Sequence, residues 1–175
     1  MEQEENKRSI SERAMYYGTI FGLIMVFANV SYILGLQSSL FSMLFLGITI
    51  ASPFIAGRFA ATYRRRELDD RITFVQAWFF LMVMYSCAAI LTAIAQFIYF
   101  KYIDGGYFMQ TILQQFDIVQ NTDGIDATLK EQIEATASLL KTMGTRDIVL
   151  QFFSTNIVIT PFITIIIAIF VKRNN

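Results

Sequence analysis

The sequence of 175 residues has no histidine, one cysteine and two prolines, and its four long apolar stretches contain no acidic residue. Zinc sites are usually built from cysteine and histidine, so none is expected here. Proton-coupled transport usually depends on a titrating side chain inside the membrane, and hydrolysis there needs an activated nucleophile or a metal. These absences predict a protein that is not an enzyme and that holds no metal or cofactor.

The apolar stretches are each at least 22 residues long, and about 20 helical residues cross the roughly 30 Å hydrocarbon core of a bilayer. The chain is therefore predicted to be an all-α integral membrane protein, with residues 1–175 forming a single four-helix domain. Residues 101–147 are predicted to form a helical extramembrane segment between spans three and four. The predicted spans are residues 15–36, 40–63, 73–100 and 148–171.

The distribution of lysine and arginine predicts the orientation. Ten of the fourteen basic residues lie in or beside the N-terminal tail, the second connection and the C-terminal tail. Because cytoplasmic loops are enriched in lysine and arginine, both termini are predicted to be cytoplasmic, with residues 101–147 outside. Arg64, Arg65 and Arg66 in the second connection are also expected to contact anionic lipid headgroups. A formal net charge of zero gives no reason to expect a nucleic-acid partner.

The two prolines occur in the same local sequence. Ser-Pro-Phe-Ile at 52–55 in span two matches Thr-Pro-Phe-Ile at 160–163 in span four, and each proline precedes a basic residue by eleven positions. A proline leaves a carbonyl one turn earlier without its helical donor. Kinks are therefore expected at Pro53 and Pro161, with the preceding hydroxyl helping to satisfy that carbonyl. The match leaves open whether the four spans form two similar hairpins.

Two further patterns lie within the spans. One polar residue in each span lies about seven to nine residues from the outer end. Such residues either join helices by hydrogen bonds, each worth about 0.5–2 kcal/mol, or line a small polar pocket. A GxxxG pattern in span one predicts either a close helix contact within the monomer or homodimerisation. The polar residues are Asn29, Thr49, Thr92 and Asn156, and the glycines are Gly18 and Gly22.

The outer segment is predicted to contain two helices. The second is expected to open with a capping box at Thr128 and Glu131 and to end at Gly144. Asp104-Gly105-Gly106 predicts a helix stop and a sharp turn before the first of them, with Asp104 capping the next helix. The sequence leaves open whether this segment is a lid, a docking surface or an interfacial cap.

Three of these features together resemble a known family. They are the run Tyr-Phe-Lys-Tyr-Ile-Asp-Gly-Gly-Tyr at 99–107, the glycines at 18 and 22, and Ser52-Pro53 before the arginines. They are similar to a domain-of-unknown-function family of small, four-span bacterial inner-membrane proteins, across nearly the whole chain. The family often has proline after the aspartate, where this chain has Gly105. The resemblance implies the topology and a location in the bacterial inner (cytoplasmic) membrane, and it implies no activity.

No motif identifies a reaction, so the functional prediction rests on architecture. The sequence favours a non-enzymatic membrane protein that acts as a partner subunit or membrane scaffold. Its expected contacts are the lipid bilayer and either a protein partner or further copies of itself. The alternative is a small oligomeric transporter or channel that works without intramembrane carboxylates. An enzyme would have to use outer carboxylates, namely Asp104, Asp123 or Asp147.

Overall fold

A computed structural model describes residues 2–36, 38–122 and 126–173, with side chains from Ile10 onward. Within these ranges the chain is helical, and four of its helices are long and apolar enough to cross a membrane. This confirms the predicted all-α fold, with four candidate spans and a helical segment between the third and fourth. The helices are α1 (Glu2–Gly35, apolar from Ile10), α2 (Ser39–Glu67), α3 (Phe74–Tyr102), α4 (Tyr107–Gln120), α5 (Ala127–Thr142) and α6 (Thr145–Val171).

The chain is divided into two compact units. The first, here called the bundle unit, comprises Met1–Ala95 and Phe152–Asn175. The second, here called the hairpin unit, comprises Gln96–Gln151 and contains α4 and α5. The predicted single domain over residues 1–175 stays a prediction.

Small side chains line the contacts between helices in the bundle unit. Lipid tails are as apolar as leucine, so helices associate in a membrane mainly through close van der Waals contact, and small residues let their backbones approach. Large apolar side chains, Phe21, Phe80, Leu81 and Met84, fill the rest of the core. The alanines that are completely buried come from all four spans: Ala14, Ala56, Ala60, Ala77 and Ala168.

The second span is the least covered of the four. In its most apolar 18-residue window only 6% of residues are buried, against 33% in α1 and in α3. Met43, Ile50 and Phe54 are each at least 60% exposed, and a Cβ added at Gly47 would have nothing within 4 Å. This apolar surface of α2 is therefore left uncovered by the described residues.

The ends of α2 and α3 are set by local chemistry. Helix α2 stops where Asp69 and Asp70 take left-handed conformations, with φ values of 48° and 61°. Aspartate tolerates this region better than most residues. Helix α3 opens with a capping box, in which the Gln76 N–H donates to the Thr73 hydroxyl at 3.3 Å and the Thr73 N–H donates to Gln76 Oε1 at 3.0 Å. The loop between the two helices is therefore short and well defined.

The predicted capping box at Thr128 and Glu131 is wrong. Asp126 has extended backbone angles and is the N-cap of α5, so Thr128 already lies inside the first turn. Helix α5 ends at Thr142, before Gly144. The Gly144 N–H instead donates to Asp147 Oδ2 at 2.9 Å, at the start of α6.

Candidate functional site

One end of the bundle unit is fastened by a buried arginine. Arg64, in the last turn of α2, is 8% exposed. Its Nε donates to Asp70 Oδ1 at 2.8 Å, and its Nη1 donates to the Val171 carbonyl at 2.5 Å. Arg173 pairs with the other oxygen of Asp70. Asp70 therefore bridges two guanidinium groups, and Arg64 satisfies a carbonyl in the last turn of α6 that has no helical donor.

A backbone bridge strengthens the same contact. The Ile72 N–H donates to the Arg173 carbonyl and the Arg173 N–H donates to the Ile72 carbonyl, both at 3.0 Å. Nearby, Arg13 of α1 pairs with Glu67 at 2.9 Å. The start of the first span, the loop between α2 and α3 and the end of α6 thus meet at one end of the bundle unit, here called the Arg-rich end.

The three arginines expected to contact lipid headgroups have different surroundings. Arg64 is engaged inside the bundle unit, as described above. Arg65 and Arg66 are exposed, as are Arg71 and Lys172 at the same end. The surface of the Arg-rich end is therefore basic even though its innermost arginine is neutralised.

The structure does not bring the four polar residues of the spans into one environment. Thr92 is buried and Asn29 is half-buried, whereas Thr49 and Asn156 are exposed on the outside of the bundle unit. The amides of Asn29 and Asn156 each donate to a carbonyl four residues earlier in their own helices, at 2.9 Å. These bonds satisfy part of the amide within one helix and do not connect it to another.

The two glycines of α1 lie against α3 of the same chain. A Cβ at Gly18 would lie 2.8 Å from Cys87 Cβ and 2.8 Å from the Met84 carbonyl oxygen. A Cβ at Gly22 would lie 2.7 Å from Leu91 Cδ1. The glycine pair thus allows the backbones of α1 and α3 to meet inside the monomer.

The two prolines lie inside continuous helices but differ in how the freed carbonyl is treated. The Ser52 hydroxyl donates to the Thr49 carbonyl at 2.9 Å, which is the carbonyl that Pro53 leaves without a donor. The Thr160 hydroxyl donates instead to the Asn156 carbonyl at 2.7 Å, one residue before the carbonyl that Pro161 frees. The preceding hydroxyl therefore satisfies the freed carbonyl at Pro53, as expected, but the Thr160 hydroxyl does not do so at Pro161.

In the hairpin unit, Asp104 organises the turn before α4. Its carboxylate accepts hydrogen bonds from the Phe108 N–H at 3.0 Å and from the Gly106 N–H at 3.1 Å, as the sequence predicts for a cap. Gly105 and Gly106 have φ values of 57° and 88°. Proline holds φ near about −65°, so the proline common in the resembling family cannot take the place of Gly105 in this turn. The Asp104 carboxylate thus caps the first turn of α4, while Gly106 occupies the N-cap position itself.

A groove of about 410 Å³ separates α4 from α5 in the hairpin unit. Its apolar lining comes from Leu113, Phe116 and Ala137, and its charged lining from Asp117 and Lys141. Every residue of α5 is at least partly exposed. This groove had no signal in the sequence, because it depends on how the two helices are spaced.

The other candidate groups do not assemble into a reactive centre. Within the described ranges, no three cysteine, aspartate or glutamate side chains are grouped so that they could hold a metal ion. Cys87 Sγ lies 3.9 Å from the Thr19 hydroxyl and 3.8 Å from the Met15 carbonyl, between α1 and α3. Asp147 accepts the hydrogen bond that begins α6, and Asp123 lies outside the described residues.

Comparison with known proteins gives one match. A family model described as "Protein of unknown function (DUF4199)" matches residues 16–173. No curated protein and no solved structure matches the chain. The family description carries no activity, so the roles of individual residues rest on the geometry above.

Proposed function

The chain belongs to the DUF4199 family of unknown function, whose model matches residues 16–173, and from that premise we propose that it is a non-enzymatic subunit of a membrane protein complex. Its α4–α5 pair binds a protein partner. The observation that carries this proposal is the exposure of α5, an amphipathic helix with no buried residue. Leu129 on this helix is 46% exposed.

The chemistry of the groove suits a protein ligand. Protein interfaces typically combine an apolar, well-packed centre with a polar rim. Leu113, Phe116 and Ala137 provide the apolar part, and Asp117 and Lys141 provide charges of both signs beside it. A partner side chain that enters between α4 and α5 therefore gains apolar contact. It can also pair with the negative charge of Asp117 or the positive charge of Lys141.

Orientation is part of the proposal. The basic residues of the Arg-rich end favour the cytoplasmic side of a bacterial inner membrane, which leaves the α4–α5 pair outside. The contacts of Arg13, Arg64 and Arg173 support placing the start of the first span and the end of the last one on the same side. A reporter that is active only in the cytoplasm, fused after the last residue, is expected to be active. If only a reporter that requires the extracytoplasmic side is active at this position, the proposed orientation is wrong.

The docking role is tested by two matched substitutions on α5. Ala137 lines the groove, whereas Ala135 is exposed and lies about 200° around the helix from it. Ala137→Arg fills the groove and places a second cation one turn from Lys141, so we expect it to abolish partner binding. Ala135→Arg adds the same side chain away from the groove and is expected to leave binding intact. Both replacements keep a good helix former.

The measurement is native mass spectrometry of each variant, extracted from its own membranes in mild detergent. The expected result is a second polypeptide at fixed stoichiometry with the wild type and Ala135→Arg, and its loss with Ala137→Arg. A second polypeptide that stays with Ala137→Arg contradicts docking in the groove. A lone monomer or a homo-oligomer in all three samples contradicts the subunit role itself.

A further inference from the structure

Three polar side chains recur at seven-residue spacing along α3. Trp78, Tyr85 and Thr92 each contain a buried polar atom with no hydrogen-bond partner among the described residues: the indole Nε1 and the two hydroxyl groups. Seven residues are almost two helical turns, so the three side chains share one face of the helix. Successive positions are about 10.5 Å apart along its axis.

The neighbouring residues provide no hydrogen-bond partner for the hydroxyl groups of Thr92 and Tyr85. Thr92 is 6% exposed, and its hydroxyl does not make even the bond to the carbonyl four residues earlier that Thr62 and Thr164 make in their helices. Ser52 of α2 approaches the Tyr85 hydroxyl. The Ser52 oxygen is free to accept, since its hydrogen goes to the Thr49 carbonyl, but the pair lacks hydrogen-bond geometry, so the Tyr85 hydroxyl stays unpaired among the described residues. On its other side, the Tyr85 ring contacts Phe21 of α1 with a centroid distance of 4.9 Å.

Leaving such atoms unpaired in a membrane is costly. Moving a hydroxyl or an amide-like group into an apolar environment without a hydrogen bond is strongly unfavourable, and buried polar groups in proteins are nearly always satisfied by protein or by ordered water. A dry core would place phenylalanine and valine at these positions at no such cost. Three unpaired polar atoms on one helix face therefore indicate a polar occupant.

The chemistry of the three groups defines that occupant. The indole N–H only donates, so the occupant must accept a hydrogen bond, while the two hydroxyls can both donate and accept. Between Phe74 and Phe100, α3 carries no charged side chain, and Arg58, the one charge within the four apolar stretches, is exposed. An ion among these groups would therefore be desolvated without a partner. We propose that Trp78, Tyr85 and Thr92 line a hydrated seam within the bundle unit, in which bound water supplies their missing hydrogen bonds.

This inference does not depend on the proposed docking function. It concerns the bundle unit, whereas docking concerns the hairpin unit. It also gives the transporter or channel alternative a physical basis that the sequence lacked, because an internal polar path for small uncharged solutes requires such a seam.

The seam is tested by the reactivity of thiols placed along α3. In a Cys87→Ala background, Thr92→Cys is compared with Ile94→Cys, which is on the same helix and 53% exposed on the lipid side. A small uncharged methanethiosulfonate enters both environments, but it reacts with the thiolate, which forms only where water is present. We expect Thr92→Cys to react at least about tenfold faster than Ile94→Cys. Equal, slow reaction at both positions overturns the proposal.

A second measurement covers the case in which the cysteine variant does not fold. Replacing an unpaired buried hydroxyl by an apolar group of the same shape is neutral or stabilising. The same change leaves a bound water without its partner and is then destabilising. Thr92→Val and Tyr85→Phe are therefore expected to lower the unfolding midpoint in detergent. An unchanged or raised midpoint in both variants overturns the seam.

Discussion

Leucine in place of Gly18 is expected to destabilise the bundle unit by about 3 kcal/mol, at the upper end of the cost of overfilling a well-packed core. Even the first carbon of the new side chain would lie 2.8 Å from Cys87 Cβ and 2.8 Å from the Met84 carbonyl oxygen. A backbone atom cannot move aside as the end of a flexible side chain can. Helices α1 and α3 must therefore separate, and the contacts of Phe21 with α3 are lost with them.

Gly47→Leu is the matched control for this prediction. Gly47 also lies inside an apolar span, but nothing surrounds its added Cβ within 4 Å, and leucine is the better helix former. We expect its midpoint of unfolding in an SDS titration to equal that of the wild type or exceed it. If Gly18 instead lay in a dimer interface, the wild type would be a dimer and Gly18→Leu would be a folded monomer. Size-exclusion chromatography with light scattering separates that outcome from loss of the fold.

Alanine at Asp70 is expected to destabilise the bundle unit by about 2 kcal/mol. Breaking a buried ion pair costs about 3–5 kcal/mol and breaking an exposed one about 0–1 kcal/mol. The Arg64 side chain is 10% exposed and that of Asp70 is 37% exposed, so the expected cost lies between these limits. Without Asp70, the guanidinium of Arg64 keeps only the Val171 carbonyl among the contacts described above, and Arg173 loses its carboxylate.

Asp69→Ala provides the control for Asp70→Ala. Both aspartates have positive φ values, 48° and 61°, so alanine is disfavoured at each for the same backbone reason. The difference between the two variants therefore reports the ion pairs of Asp70. In an SDS titration, we expect the unfolding midpoint of Asp70→Ala to lie well below that of Asp69→Ala. Because Arg64 is buried, raised salt is expected to reduce this difference between the two midpoints only partly. Equal midpoints would mean that the pairing contributes no stability.

The parts of the fold that the sequence predicts well are those that depend on neighbouring residues. The four spans follow from length and apolar composition alone, since a bilayer imposes both. The cap at Asp104 and the Ser52 bond to the Thr49 carbonyl connect groups at most four residues apart. Short-range patterns still have false matches. Thr73 with Gln76 and Thr128 with Glu131 both fit a capping box, and only the first pair forms one.

The parts that escaped prediction depend on distant residues. Asp70 and Arg173 are 103 residues apart, and nothing in the charge pattern distinguishes Asp70 from Asp69 as the partner of Arg64. The seven-residue spacing of Trp78, Tyr85 and Thr92 is visible in the sequence. However, only the neighbouring helices determine whether each polar atom is buried and unpaired. The predicted polar layer groups Thr92, which is buried, with Thr49, which is exposed, because depth in the membrane does not fix which way a side chain faces.

The contact between Arg64 and the end of α6 also has a consequence for biosynthesis. Arg64 and Val171 are 107 residues apart in the chain, so this contact cannot form until the last span has left the ribosome. Domains generally form from the N-terminus during synthesis, and α1, α2 and α3 can associate earlier through Gly18, Gly22 and the alanines. A nascent chain that stops before Val171 then leaves the Ile72 N–H and carbonyl and one face of Arg64 open at the membrane surface. These groups are hydrogen-bonded once α6 is in place and are exposed before it is, so their exposure distinguishes an incomplete chain from one that contains α6.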